Sequence, residues 1–253
     1  MSGSRTLQTI VVAILIFAAP VLRCTGTAAS QPAKAAAQEA QTAPKPQYPK
    51  LFFREDWKLA SGLANINTPQ EPEHATIDAD IANPNLELRL YGNKAGLVTV
   101  NQPANDDITY IMTLLCTSNC ALTLRDKKND VDLTGLATIR WRTKVTGFHS
   151  LHPIIKLADG TWLVGDHASE FSSDWVESQI QLADVRWRRL DIQNVVEGRG
   201  ENWVEKPDLS RVEEIGFTEL MPGGGHGGSG SRIDWVEVYG KPVPRVSSTT
   251  SKR

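Results

Sequence analysis

The 253-residue chain lacks the residue patterns that would identify a chemistry. It has no H-E-x-x-H motif, and its glycine-rich run at 221–231 lacks the G-K-[ST] ending of a phosphate-binding loop. Its three cysteines include no second pair that could complete a zinc site. A net charge of −2 and a pI near 6.2 exclude a global basic field, so nucleic acid is not an expected partner.

The first thirty residues have the pattern of a secretory signal. Arg5 precedes an apolar run at 10–22 that is too short for an ordinary membrane span, and small residues at 27–29 offer a cleavage site. We therefore predict a signal peptide over 1–29, an exported protein (periplasmic or extracellular) and no membrane span after cleavage. An uncleaved anchor is the alternative.

The remaining chain divides by composition. Residues 30–50 are rich in Ala, Pro and Gln and predict a disordered linker, and residues 244–253 predict a disordered tail. This leaves 51–243 as the folded domain. In an oxidising compartment, the pair Cys116 and Cys120 is expected to form a disulfide across a tight turn, with free or redox-active thiols as the alternative.

The region 51–243 consists of short strand-like runs with no long helical pattern. Leu86, Leu88 and Leu90 alternate with charged residues, and Asp159-Gly160 is typical of a hairpin turn. The predicted strands are 51–57, 85–92, 109–115, 121–125, 137–144, 153–157, 161–165, 176–182, 187–196, 212–218 and 232–239. The pattern predicts an all-β fold, a single antiparallel β-sandwich of the jelly-roll type. Trp141 and Phe217 are expected in its core.

The segments 132–141, 187–192, 208–217 and 232–238, together with the hairpin, resemble the galactose-binding-like jelly rolls. These include many carbohydrate-binding modules and the complex I intermediate-associated protein family. The resemblance implies that strand 51–57 pairs near 232–239. It also implies a possible structural calcium, with Asp234 and either Glu55 or Asp56 as ligands; no other cofactor is expected. It is a likeness of strand order and implies little about function.

Alternation along the strands predicts an outward face that is either a binding face or a solvated sheet face whose Arg–Asp pairs cover aromatic rings. We expect six apolar residues to point inward: Ile139, Ile155, Leu157, Leu163, Leu190 and Ile192. Residues that alternate with them along the same strands should then point outward. The predicted ligand-binding residues are Arg140, Arg142, Lys156, Trp162, Asp166, His167, Trp187 and Arg189. The first five are expected to form one contiguous patch if strand 137–144 lies beside the hairpin. Indole rings stack on sugars, and charged planar groups bond to their hydroxyls.

The leading functional hypothesis is an exported, non-catalytic carbohydrate-binding protein whose partner is a glycan or another extracytoplasmic ligand. No catalytic residue is assigned. One alternative is a secreted glycan-acting hydrolase that uses carboxylates or histidines near Asp166 and His167. The other is a structural or assembly protein that binds another protein through its sheet face.

Overall fold

The structure is a computed structural model that describes residues 47–60, 73–93, 98–103, 108–113, 119–147, 149–198, 202–220 and 230–245. The predicted signal peptide, Cys116, and most of the linker and tail lie outside these residues. Two short 3-10 turns occur at Asp78–Asp80 and Leu182–Asp184. The strands are β1 (Leu51–Glu55), β2 (Glu73–Ala75), β3 (Leu86–Tyr91), β4 (Thr99–Asn101), β5 (Tyr110–Met112), β6 (Ala121–Asp126), β7 (Asn129–Asp132), β8 (Thr138–Val145), β9 (Leu151–Leu157), β10 (Trp162–Gly165), β11 (Val176–Gln181), β12 (Trp187–Asp191), β13 (Val196–Glu197), β14 (Trp203–Val204), β15 (Val212–Glu219), β16 (Ser231–Tyr239) and β17 (Lys241–Pro244).

These strands form two antiparallel sheets. The seven-stranded sheet has the order β11-β8-β16-β5-β4-β2, with β1 also on β16. The ten-stranded sheet has the order β13-β12-β10-β9-β15-β6-β3, with β14 on β12 and the pair β7 and β17 beside β15. The predicted antiparallel β-sandwich is confirmed, and so is the predicted pairing of the first strand with the last long one, since β1 pairs with β16.

A core of alternate strand residues lies between the two sheets. Trp141 of β8 and Phe217 of β15 are each 1% exposed, as predicted, and their rings meet edge to face at 6.5 Å. Ile139 and Ile155 belong to the same cluster, one from each sheet. The core therefore joins strands that are far apart in the chain, which is typical of a jelly roll.

Backbone and side-chain hydrogen bonds also involve residues just outside 51–243. Gly240 donates its backbone N–H to the Lys50 carbonyl at 3.2 Å. At the other end, β17 runs to Pro244 and the Arg245 guanidinium bonds to Asp130 at 2.6 Å. Within the described residues, no helix has the length and apolarity that a membrane crossing requires.

Candidate functional site

The outer face of the ten-stranded sheet is concave. Tyr91 of β3 and Trp162 of β10 have ring centroids 4.9 Å apart, although three strands lie between β3 and β10 in the sheet order. In a flat sheet those strands would be about 19 Å apart, which is too far for the rings to touch. The sheet must therefore curl toward its outer face, and the two rings lie within the curve.

A buried carboxylate lies beneath these rings. Glu214 is 0% exposed; it accepts hydrogen bonds from the Tyr91 hydroxyl at 2.8 Å and the Thr123 hydroxyl at 2.7 Å. The Lys156 ammonium lies 3.4 Å from its other oxygen. Burial, followed by the bond to Glu214, raises the pKa of Tyr91 to about 12. These bonds fix the Tyr91 ring in position on the concave face.

A second apolar cluster covers the middle of this face. Its buried members are Ala121, Ile154, Val164, Leu190, Ile192, Val195 and Leu220. The turn between β12 and β13 carries Val195, which is fully buried and has a φ of 50°. A left-handed β-branched residue is uncommon, and here its carbonyl is held by the Asn119 side chain at 2.8 Å. The turn is thus pinned across the sheet.

Beside this turn lies a cleft, which we call the β12 cleft, formed by adjoining cavities of about 480 and 160 Å³. Both cavities are lined by His152, Arg188 and Glu197, and the smaller one also by Asp166. Trp162 is two residues before Val164, which lines the smaller cavity, and so lies about 7 Å away on the same side of β10. The aromatic rings and the cleft therefore share one face.

Two arginines at the edge of the cleft lie over one indole ring. The guanidinium carbons of Arg186 and Arg188 are 4.0 and 4.1 Å from the centroid of Trp203. Arg188 also pairs with Glu197 across the β12–β13 turn. A further cavity of about 720 Å³ opens beside Arg186 and Trp203. Stacking holds the guanidinium groups in defined orientations, and the Arg188–Glu197 pair offers a donor and an acceptor side by side.

Asp166 and His152 are also held in place. The Asp166 carboxylate accepts from the Arg186 backbone N–H at 2.9 Å and pairs with His167 at 2.9 Å. Burial favours the neutral acid, but the bonds from His167 and Arg186 outweigh it and lower the pKa of Asp166. His152 is bonded to the Gly165 carbonyl at 2.9 Å and to the Ser150 hydroxyl at 3.0 Å. A general acid would need a raised pKa, so Asp166 is better suited to accepting hydrogen bonds than to giving a proton.

The predicted contiguous patch is wrong, because its members lie on two sheets. Lys156, Trp162 and Asp166 lie on the concave face, and Trp162 pairs opposite Lys156 as the hairpin predicted. Arg140 and Arg142 lie on β8, which pairs with β11 and β16 in the other sheet. The chain changes sheet between β8 and β9, so neighbours in sequence are not neighbours in space here.

On the seven-stranded sheet, the arginines are paired with carboxylates. Arg142 binds Asp234 at 2.6 Å, and Arg140 binds Glu237 at 3.1 Å. Trp235 is 8% exposed and lies under the guanidinium of Arg54 at 4.6 Å. The charged and aromatic side chains named here therefore contact one another, which leaves them less available to a ligand.

Trp187 was predicted to point outward, and this is wrong. It is 1% exposed and belongs to the main core. Leu190 and Ile192, both predicted to point inward, pack instead in the second cluster on the concave face. Arg189 is exposed, but it pairs opposite the core residue Leu163 and so lies on the other side of the sheet from Arg188. Because both faces of this sheet bury apolar residues, alternation alone could not tell them apart.

Of the proposed calcium ligands, Glu55 and Asp234 lie on opposite sides of one sheet, and Asp56 pairs with the Arg54 guanidinium at 2.6 Å. Glu55 is fully buried on the core side of β1, where its carboxylate accepts backbone N–H groups of Trp57, Ala82 and Asn83 at 2.6–3.0 Å. Asp234 pairs with Arg142 on the outer side of the same sheet. A carboxylate that already accepts three N–H bonds serves as a structural acceptor here. No group of three or more His, Cys, Asp or Glu side chains in the described part of the chain could hold a metal ion.

Cys120 is 2% exposed. Since Cys116 lies outside the described residues, the predicted pairing of the two stays a prediction.

Five residues in or beside the β12 cleft were not predicted from the sequence: His152, Arg188 and Glu197 line the cleft, and Arg186 and Trp203 lie at its edge. A signal was present for the two arginines, because Arg186 and Arg188 alternate with the buried Trp187. Consecutive apolar residues, such as Ile154 and Ile155, also indicate strands buried on both faces. Glu197 and Trp203 come from short strands that no periodicity reveals.

No protein-family model matches the chain, and no curated protein matches it. Among solved structures, the chain is similar to a family 11 carbohydrate-binding module from Clostridium thermocellum in complex with a β-1,3-1,4-mixed-linked tetrasaccharide, with 13% identity over 76% of this chain and 98% of that one and a TM-score of 0.36. A family 11 module of a cellulosomal cellulase of the same organism gives 15% identity, 74% and 94% coverage and a TM-score of 0.34.

An exo-β-agarase gives 10% identity over 70% of this chain and 25% of that one, with a TM-score of 0.36. Because these TM-scores all lie below 0.5, the function proposed next is derived from the chain's own residues.

Proposed function

We propose that the protein binds a carbohydrate on the concave outer face of its ten-stranded sheet. The observation that carries the proposal is the presence on that one face of two kinds of group. Trp162 and Tyr91 supply aromatic surface, and the Arg188–Glu197 pair supplies a donor beside an acceptor. A sugar ring presents apolar C–H surface to an aromatic ring and hydroxyls, each both donor and acceptor, at its edge.

The site is built in advance of binding. Arg186 and Arg188 are held over Trp203, Tyr91 is anchored on Glu214, and Asp166 is fixed by two hydrogen bonds. Groups that are already ordered lose little conformational entropy when a ligand binds. This arrangement favours recognition of polar ligands by fixed side chains.

A binding role is favoured over hydrolysis. Asp166 and Glu197 line the same small cavity, as a pair of glycosidase carboxylates would. However, the lowered pKa of Asp166 and the pairing of Glu197 with Arg188 leave neither as an evident proton donor. We therefore propose a non-catalytic domain.

Affinity electrophoresis on a panel of soluble neutral and acidic polysaccharides tests the proposal. We expect at least one polysaccharide to retard the protein without release of reducing ends. Trp162→Ala and Arg188→Gln should each abolish most of that retardation. Arg189→Gln is the matched control, since it removes the same charge from the other side of the same strand.

Three outcomes would contradict the proposal. If no polysaccharide retards the protein, the proposal of a glycan ligand is contradicted. Release of reducing ends would support a glycan-acting hydrolase instead. Equal losses in Arg188→Gln and Arg189→Gln would show that the concave face is not the binding surface.

We also propose that the protein is exported and that Cys116 and Cys120 form a disulfide. The proposal is supported by the signal-like sequence and by the even cysteine pair of 51–243. Intact mass spectrometry of the protein from its own host should find a mature N-terminus after residue 29 and no alkylatable thiol. A chain that begins at Met1, or one in which Cys116 and Cys120 are both alkylated, would contradict this.

A further inference from the structure

A second charged cleft lies at the end of the ten-stranded sheet that carries β7 and β17. Its volume is about 360 Å³, and it is lined by Arg125, Asp130, Ala158, Arg211, Glu213 and Arg245. Three arginines from distant parts of the chain therefore converge on one opening. None of them belongs to the β12 cleft.

The carboxylates of this cleft are already engaged. Asp130 is 3% exposed and binds Arg211 at 2.8 Å through one oxygen and Arg245 at 2.6 Å through the other. Glu213 binds Lys156 at 2.8 Å. The three guanidinium groups of the lining therefore face two carboxylates, Asp130 and Glu213, and Glu213 is shared with Lys156, so the cleft keeps an excess of positive charge.

Arg125 differs from the other two arginines in having no partner among the described residues. It makes no hydrogen bond or ion pair with any described residue, and its Nε is buried with no acceptor among them. A buried guanidinium N–H without an acceptor costs free energy, and a guanidinium binds oxyanions through two parallel N–H groups. The cleft therefore combines hydrogen-bond donors with positive charge.

We propose that Arg125, Arg211 and Arg245 form a binding site for an oxyanion: a sulfate, phosphate or carboxylate group. Arg125 would bind the anion directly, and Asp130 would hold the other two guanidinium groups beside it. Arg125 follows Leu124, which lies opposite Ile215 of β15, so the cleft adjoins Glu214 and the Lys156 end of the concave face. The inference does not depend on a carbohydrate ligand.

Titration with sodium sulfate, sodium phosphate and sodium acetate tests this, with sodium chloride keeping ionic strength constant. Backbone and arginine side-chain NMR resonances would be followed. We expect saturable shifts at Arg125, Arg211 and Arg245 with at least one oxyanion, and the ranking of the three salts identifies the tetrahedral or carboxylate source. Arg125→Gln should lower the affinity for that anion about tenfold, because one charge-assisted contact is lost.

Arg125→Gln should fold normally because no described residue pairs with Arg125, and thermal unfolding confirms this. Arg125→Lys keeps the positive charge but lacks the two parallel N–H groups of a guanidinium, so it should bind the anion with intermediate affinity. Arg189→Gln should bind like the parent protein. Shifts no larger than those in chloride alone would overturn the proposal, as would an unchanged affinity in Arg125→Gln.

Discussion

Trp187 and Trp162 offer a direct comparison, because alternation along their strands predicted both to be outward. Trp187 is 1% exposed and packs in the main core near Gly165, where an added Cβ would meet Val185 at 2.7 Å and Pro153 at 2.9 Å. Surroundings this dense cannot collapse around a missing indole. Trp187→Ala is therefore expected to cost about 3–5 kcal/mol of the free energy of unfolding.

For a domain of this size, that loss corresponds to a Tm about 6–20 °C lower. Trp162 is partly exposed and keeps an edge-to-face contact with Tyr91. Trp162→Ala should therefore cost only about 1–2 kcal/mol. The Nε1 of Trp187 has no acceptor among the described residues, so Trp187→Phe, which removes that orphaned N–H, should cost much less than Trp187→Ala.

Urea unfolding followed by circular dichroism measures all three variants at equal protein concentration. The reasoning requires the order of stability Trp187→Ala below Trp162→Ala. A Trp187→Ala variant that loses less than about 1 kcal/mol would refute it, because it would mean that the ring is not part of the packed core.

Two further predictions concern ionisable groups. Tyr91, with its pKa raised to about 12, should ionise well above pH 10 in a spectrophotometric titration at 295 nm. Its stabilising contribution is fully present below about pH 10 and is lost as pH rises toward 12. A Tyr91 that titrates near pH 10 would contradict the buried bond to Glu214. Burial alone would raise the pKa of Asp130, but Arg245 and Arg211 lower it, so its contribution is present above about pH 4 and is lost as pH falls further. Asp130→Asn should then cost about 1–3 kcal/mol at pH 7 and progressively less toward pH 2, as measured by urea unfolding; a cost that does not vary with pH would contradict the pairing.

Local signals predicted much of the fold. Leu86, Leu88 and Leu90 gave the period-two pattern of β3, and Asp159-Gly160 correctly joined β9 to β10. The pairing of β1 with β16 followed from the resemblance. These features depend on neighbouring residues or on strand order, and both can be recognised in the amino-acid sequence.

The candidate site was less accessible because it depends on long-range placement. The packing of the whole sandwich decides whether β8 lies beside β9 or beside β16. The prediction placed β8 beside β9, but β8 pairs with β16, so Arg142 lies on the other sheet. The ten-stranded sheet buries apolar residues on both of its faces, and only one of these faces is the main core. The sequence does not show which of the two faces Trp187 joins. Glu197 lines the cleft and Trp203 lies beside it, and each belongs to a strand of only two residues.

The central claim is that the concave face of the ten-stranded sheet, and not the outer face of the seven-stranded sheet, is the binding surface. Hydrogen–deuterium exchange, measured with and without a saturating polysaccharide that retards the protein, tests it most directly. The account predicts slower exchange in peptides that cover 150–166 and 186–204, with 138–145 and 231–239 unchanged. Protection confined to 138–145 and 231–239 would place the ligand on the opposite sheet and contradict the claim.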